Sequence, residues 1–474
     1  MAIAASLILC FAAGYLLVGL AFTRTSNNVL LQICLSSGFG FAVFSFTYFV
    51  ALITAFLHLW IIDIGILAIL LAAHVSMRRQ RHREGSLQKG PGQTSAPRSL
   101  QVAFLIASFA AVYSAVMRAL SHPYGNGWDS FAIWNLHARF LYRGGNNWRD
   151  GFSPLLPWSH PDYPLLVPAA IAHFWTTAGH ETPAVPAIIG LLFTFASIGL
   201  LIAGLDLLVG RSSALLGGMA LLCSPFFIEL GTWQYADVPI AFFFLATPVL
   251  FRLSDKPVIQ PNWRPGTLAL AGFAAGCAAW TKNEGILFLC AIFLSRMVVA
   301  FGQRRTGISD MSSKPLQLFP ALYGTIPVLC ILLFFKHYVA PVGDLFSDRA
   351  IMLHKLGEVW RYGVVLKWFG KEFLRFGHWF VMPVPILLLA FHLLVRKRVA
   401  NAADASIGAS ALALGLTVAG YSVIYLITPY DLYWHLRFSL SRLFIQVWPS
   451  AIFLFFLRLG SLSALTSQGG NVHD

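Results

Sequence analysis

The sequence predicts an all-α, polytopic transmembrane bundle of about 13 helices, with a long extracytoplasmic loop that carries short helices at the membrane surface. Three observations predict it. Of the 474 residues, 57% are hydrophobic and 11% are charged, whereas a soluble domain is about half apolar and about a quarter charged. Mean hydropathy is +0.70. Apolar stretches recur along almost the whole chain, many near the length of about 20 residues that crosses a bilayer. This composition excludes a soluble enzyme, a disordered scaffold and a collagen-like fibre. Lys and Arg number 33 against 19 Asp and Glu, a net charge of +14. In a membrane protein such an excess belongs to cytoplasmic loops rather than to nucleic-acid binding, so the bilayer is the expected partner and nucleic acid is not.

The first apolar stretch, 2–22, has no basic residue before it and no small-residue cleavage site after a short core. It reads as a retained helix, and Arg24 behind it sets the N-terminus outside. Further stretches follow at 29–50, 55–75, 100–120, 184–209, 213–230, 236–253, 266–281, 285–302, 316–335, 379–395, 407–427 and 443–457. Alternation then puts five basic loops inside: Arg78, Arg79, Arg81, Arg83, Lys89 and Arg98; Arg211; Lys256 and Arg264; Arg304, Arg305 and Lys314; and Arg396, Lys397 and Arg398. These agree with the positive-inside rule. One loop does not. Segment 336–375, assigned outside, holds Lys355, Arg361, Lys367, Lys371 and Arg375, and long loops obey the rule poorly. Within it, Ile351, Leu356, Trp360, Val364 and Trp368 alternate with basic residues over 349–376, as in an amphipathic helix lying in the membrane interface. The Gly/Ser/Pro-rich stretch 85–97 reads as a cytoplasmic linker. All six cysteines fall in apolar runs, without a disulfide framework or a CxxC metal motif. The chain divides into 1–99, the first helices and the linker; 100–302, a core with the outer loop 121–182; and 303–474, the remaining helices.

Chemistry concentrates at four places. The first is Trp128-Asp129, ahead of a helical pattern that carries Arg139 and ends at Arg143. Read alone, Asp129 is an N-cap or first-turn acid. The second is His160-Pro161-Asp162-Tyr163-Pro164, whose prolines forbid an uninterrupted helix and which leads into a short element, 165–178, read as dipping into the interface. Read alone, His160 is a hydrogen-bonded structural residue. The third is Tyr235-Ala236-Asp237-Val238-Pro239 at a helix start, where Asp237 is again open to a capping role. The fourth is Thr281-Lys282-Asn283-Glu284-Gly285, a polar hairpin open to the reading of a snorkelling lysine paired with an acid. One topology, set by arginines far from all four, puts them on the same outer face. Structural accidents would scatter. Carboxylates, a histidine and a lysine at one membrane surface suit an acceptor hydroxyl, a general base and an anionic lipid-linked leaving group.

In this order, Trp128-Asp129, the His-Pro element 160–166, Tyr-x-Asp-x-Pro at 235–239 and Gly-x-x-x-Gly-x-x-x-x-Thr-Lys-x-Glu-Gly at 272–285 resemble the GT-C superfamily of polytopic glycosyltransferases, which includes protein O-mannosyltransferases and lipid A aminoarabinose transferases. The resemblance covers about 100–302. It implies a multi-pass protein of the bacterial inner membrane with its site on the periplasmic side. The implied reaction transfers a sugar from a polyprenyl-phosphate donor to a hydroxyl of a glycan, lipid or protein acceptor, with inversion. By the same resemblance Asp129 is the catalytic base, Asp237 the second catalytic acid and Lys282 a contact for the lipid phosphate. Trp128, Arg139, His160, Asp162, Tyr163 and Glu284 complete the expected substrate site. The chain departs from the family in Asp162-Tyr163, which interrupts the usual His-Pro-Pro-Leu, and in Ser130, where several members carry a second acid. Metal use varies across the superfamily, and no metal or other cofactor is assigned. Three other readings compete: a transporter or flippase of lipid-linked sugars; a surface-polysaccharide ligase or polymerase relying on outer-face Tyr433, His435, Arg437 and Arg442; and a non-catalytic membrane scaffold that retains the fold alone.

Overall fold

Inside a bilayer every peptide group has to find its hydrogen-bond partner within its own segment or a closed sheet. This chain meets the demand with helices alone: the computed structural model describes residues 2–21, 29–56, 58–81, 95–255, 263–306, 318–343, 345, 348–395 and 405–460, and among them there is no strand. Arg24, Arg83, Lys89, residues 85–94 of the linker, Lys256, Lys314 and the basic run 396–398 lie outside the described residues. The opening helices are α1 (Ala2–Gly19), α2 (Val29–Ile53), α3 (Leu59–Arg81) and α4 (Arg98–Ser121). The polar outer segment holds a π-helical turn (Ser130–Trp134), α5 (Asn135–Arg143), two 3-10 turns (Gly145–Phe152 and Pro157–Ser159) and α6 (Leu166–Ala178). Then come α7 (Ala184–Leu208), α8 (Arg211–Leu222), α9 (Pro225–Thr232), α10 (Asp237–Asp255), α11 (Arg264–Thr281), α12 (Asn283–Thr306) and α13 (Phe319–Tyr338). The chain closes with α14 (Arg349–Gly357), α15 (Val359–Phe373), α16 (Val384–Val395), α17 (Ala405–Ile427) and α18 (Leu432–Leu459).

Each of the thirteen apolar stretches contains helix among the described residues, but ten helices there are long and apolar enough to cross a membrane, or up to eleven if the bent pair α8–α9 is one span. The 65° bend between α8 and α9 falls at Ser224-Pro225, where proline has no N–H to continue the ladder. Helix α16 has 12 residues, too few to cross unaided. Helix α11, which opens on Arg264-Pro265 and carries three glycines, is not among the ten, yet it runs the height of its neighbour. Asp237 opens α10 and Lys282 follows the end of α11, and the two side chains meet at 3.1 Å, so the 18 residues of α11 return the chain to the level where the 19 of α10 began.

Helix α10 is the axis of the bundle. Its apolar window is 100% buried, behind α7, α11 and α18 chiefly. Small residues allow the backbones to close around it, as membrane helices require where lipid offers no hydrophobic drive to association. A Cβ on Gly272 of α11 would stand 1.7 Å from the Ala321 carbonyl oxygen of α13, and one on Gly324 would stand 1.8 Å from the Ala269 carbonyl oxygen. Thr325 Oγ1 donates across this contact to the Gly272 carbonyl (3.1 Å). Residues 166–175 of α6 are all buried, because the helix packs against α2 and α5.

The basic outer loop that broke the positive-inside pattern forms two helices, α14 and α15, separated at Glu358. Arg361, 4% exposed, donates through Nε to the Leu426 carbonyl and through Nη2 to the Tyr425 carbonyl, both at 2.9 Å, and Lys355 Nζ donates to the Thr428 carbonyl. Two charges of the discordant loop thus satisfy carbonyls at the C-terminal end of α17, where a helix dipole favours cations.

Paired substitutions test the close α11–α13 approach. Gly415 on α17 has open space where a Cβ would go, so Gly415→Ala should gain up to about 1 kcal/mol from helix propensity. Gly272→Ala should instead lose about 1–3 kcal/mol through overpacking, with thermal unfolding in detergent showing opposite signs for the two.

Candidate functional site

The four polar clusters meet at one end of the bundle, where α4, α11, α13 and α17 finish and α7, α10, α12 and α18 begin. Asp237 lies at the centre, with a side chain 0% exposed. Its Oδ1 accepts from Lys282 Nζ (3.1 Å) and Gln446 Nε2 (2.7 Å). Its Oδ2 accepts from Arg442 Nε (3.0 Å) and Nη2 (2.8 Å). The first-turn position in α10 is real, but both oxygens are committed to side chains of α18 and of the α11–α12 hairpin. Carboxylate, guanidinium and ammonium offset one another's desolvation here, as a buried charge requires.

Arg442 carries the network outward. Its Nη2 also meets Asp129 Oδ2 at 2.7 Å, and its guanidinium lies 4.6 Å from the centre of the Tyr235 ring. Asp129 stands at the N-cap position of the π-helical turn and makes no capping bond, so its carboxylate serves the arginine and not the helix end. The side chain is 20% exposed, which makes it the acid of the pair that solvent or substrate can reach. The π-turn, with the Asn135 N–H bonded to the Ser130 carbonyl, is a local widening of the kind that recurs at functional sites.

The segment carrying Asp129 is laid directly on the strand of chain before α10. Asp129 N donates to Tyr235 Oη at 3.4 Å. Gln234, buried and in the left-handed region (φ 63°), donates through Nε2 to the Pro123 carbonyl (2.9 Å) and accepts through Oε1 from Asn135 Nδ2 (2.9 Å). One amide side chain thus holds both ends of the loop that presents Asp129.

Lys282 turns its other side to Glu284, with Nζ 2.8 Å from Oε1, and to the Tyr163 ring, 5.7 Å from its centre. Burial works against the Lys282 ammonium, and the Asp237 and Glu284 carboxylates outweigh it, holding the pKa above the ordinary lysine value. The Tyr163 ring lies between His160 (4.8 Å, 11° between planes) and Trp134 (5.7 Å, 22°). Burial, with Glu284, Asp162 and Asp129 adding, pushes its phenol well up. His160 adopts φ 48°, the left-handed conformation that is strained for a side chain with a Cβ. Asp162 accepts from Asn283 Nδ2 (2.7 Å), and Lys336 of α13 donates to Asn283 Oδ1 (2.7 Å).

Of the residues expected from sequence, Asp129, Asp162, Tyr163, His160, Asp237, Lys282 and Glu284 are therefore joined by contacts within one cluster. Trp128 flanks it, 58% exposed and edge-on to Phe131 at 5.4 Å. Arg139 is drawn elsewhere: it faces Glu181 at 3.5 Å, which Arg143 also binds. Sequence reasoning passed over Asn283, Lys336 and Gln446, and it connected Arg442 only with the polysaccharide-ligase alternative. The apolar ruler began the last helix at 443, one residue beyond Arg442. A usable signal was present, because Arg442 and Gln446 stand four apart, on one helical face, and a glutamine within a membrane helix calls for a partner. Among the described residues no group of three or more His, Cys, Asp or Glu side chains is placed to hold a metal ion.

His137 lies beneath this cluster, buried with Nε2 3.4 Å from Ser159 Oγ. Burial, with His160 adding, pulls it down to about 3. Unfolded histidine binds a proton near pH 6.5, so its contribution to stability is complete above that pH and is lost as pH falls toward about 3. The His137→Gln variant should therefore show a smaller fall in thermal midpoint than the wild type between pH 7 and pH 4.5, in melts recorded in the same detergent. Comparison with protein-family models, curated proteins and solved structures finds no match to this chain.

Proposed function

We propose that the protein is a membrane glycosyltransferase of the GT-C kind, moving a sugar from a polyprenyl-phosphate donor to a hydroxyl acceptor on the extracytoplasmic face of a bacterial inner membrane. One observation carries the reading: a buried acid, Asp237, holds two cations, Arg442 and Lys282, beside a reachable acid, Asp129. That is a preassembled receptor for a phosphate next to a proton acceptor.

In this reading Asp129 takes the proton of the acceptor hydroxyl as its oxygen bonds to the anomeric carbon. The bond from that carbon to the phosphate oxygen breaks on the opposite side, and its electron pair leaves with the polyprenyl phosphate. The sugar is inverted at that centre. Arg442 and Lys282 neutralise the departing phosphate, and Asp237, with both oxygens occupied, positions them without touching substrate. A donor phosphate competes with Asp129 for Arg442, so its arrival frees the base. Trp128, 58% exposed, offers a ring face to the sugar, the stacked His160 and Tyr163 rings wall the site, and Arg139, bound to Glu181, has no part in the step.

A second reading, a ligase or polymerase of surface polysaccharide, draws on the central place of Arg442 and differs in using a lipid-diphosphate oligosaccharide as donor. A flippase is less favoured, because the buried ion pairs of α10 lie at its two ends, Asp237 with Arg442 and Lys282 at one and Asp255 with Arg296 at the other, rather than at its middle.

Purified full-length protein incubated with polyprenyl-phosphate hexoses and membrane extract as acceptor tests the proposal. Transfer should fall by about a hundred- to ten-thousand-fold in Asp129→Asn, with folding and lipid-phosphate binding retained. Near-normal transfer by that variant would remove Asp129 from the mechanism, and transfer only from a lipid-diphosphate oligosaccharide would select the second reading.

A further inference from the structure

Glu284 uses only half of its carboxylate. It opens α12 next to Asn283, and Oε1 is taken by Lys282 at 2.8 Å. Oε2 is buried and has no hydrogen-bond partner among the described residues. A first-turn acid favoured by the helix dipole and paired with a lysine accounts for the charge and for Oε1. It does not account for Oε2, since an acceptor withdrawn from water without a donor is a net loss that folded proteins keep rare.

The neighbouring hydroxyl donors are already engaged. Tyr421, Tyr425 and His435 all lie within electrostatic reach of Glu284. Yet Tyr421 Oη donates to Gln446 Oε1 (2.9 Å), Tyr425 Oη is bonded with Ser439 Oγ (2.7 Å) and His435 Nδ1 with Thr428 Oγ1 (2.8 Å). The oxygen that lacks a donor thus lies beside Lys282, which also faces the Tyr163 ring. An unsatisfied carboxylate oxygen beside the lysine that meets the phosphate in this reading matches a sugar carried on that phosphate, which presents hydroxyl donors at its edge.

We propose that Glu284 reads the sugar of the lipid-linked donor, its Oε2 accepting a hydrogen bond from a sugar hydroxyl. This rests on the glycosyltransferase reading and adds to it: Arg442 and Lys282 bind the phosphate that all such lipids share, and Glu284 separates a sugar-bearing lipid from bare lipid phosphate.

The test compares full-length protein in nanodiscs for binding of undecaprenyl phosphate and of its glucosyl, mannosyl and galactosyl esters. Wild type should bind at least one hexosyl ester about tenfold or more tightly than the bare lipid. Glu284→Gln should bring the affinity for that ester to within about twofold of its own affinity for the bare lipid, whatever that affinity is. Should Glu284→Gln fail to fold, Glu284→Asp, which keeps the charge and withdraws the oxygens by one methylene, carries the same comparison and should lose most of the preference. A variant that keeps the full sugar preference overturns the inference, as does a wild type that binds the lipid with and without sugar equally. A wild type that binds no lipid phosphate overturns the proposed function, and this inference with it.

Discussion

A carboxylate with no exposed surface at the head of the central helix fixes the arrangement of this protein. Asp237 is surrounded by the bundle, and an ionised acid in that position is tolerable only with cations in direct contact. The requirement reaches across the sequence, 45 residues to Lys282 and 205 residues to Arg442. Helix α18 is thereby brought against α10, and the α11–α12 hairpin to the same level. Arg442 then has valence left for Asp129, so the partly exposed acid is aligned through the buried one. Fold and candidate site share one set of contacts.

This sharing separates the two acids in role although they look alike in sequence. Each precedes or opens a helix, and each is open to a capping reading. Asp129 makes no cap bond and keeps part of its side chain in reach of solvent. Asp237 has four donors on two oxygens. A group so satisfied organises its neighbours, and a group held by one exchangeable ion pair is free to change partners when an anion arrives.

Much of this was legible in the amino-acid order. Apolar runs located thirteen helical stretches, and the gathering of residues 128–129, 160–163, 235–239 and 281–285 at one end follows from alternation of those runs. What escaped had physical reasons. Apolar windows do not register breaks, so α8–α9 reads as one span until Pro225 bends it. The start of α18 is polar because it faces the site and the α17 turn, so an apolar window discards the very residues, up to Arg442, that complete the charge network. Net charge by loop counts cations without their partners: Arg361 and Lys355 were legible as charges but not as caps for α17. Partner choice over some 200 residues of separation is set by packing, which a single sequence does not display.

The most direct measurement of the central ion pair is a double-mutant cycle. Thermal or denaturant unfolding of wild type, Asp237→Asn, Arg442→Gln and the double variant in one detergent gives the coupling between the two sites. The account predicts that the losses are non-additive by more than about 1 kcal/mol, because each single change breaks the same contact, which the double change cannot break twice. Losses that add to within about 0.5 kcal/mol would mean that the two residues stabilise the protein independently, and would contradict the account.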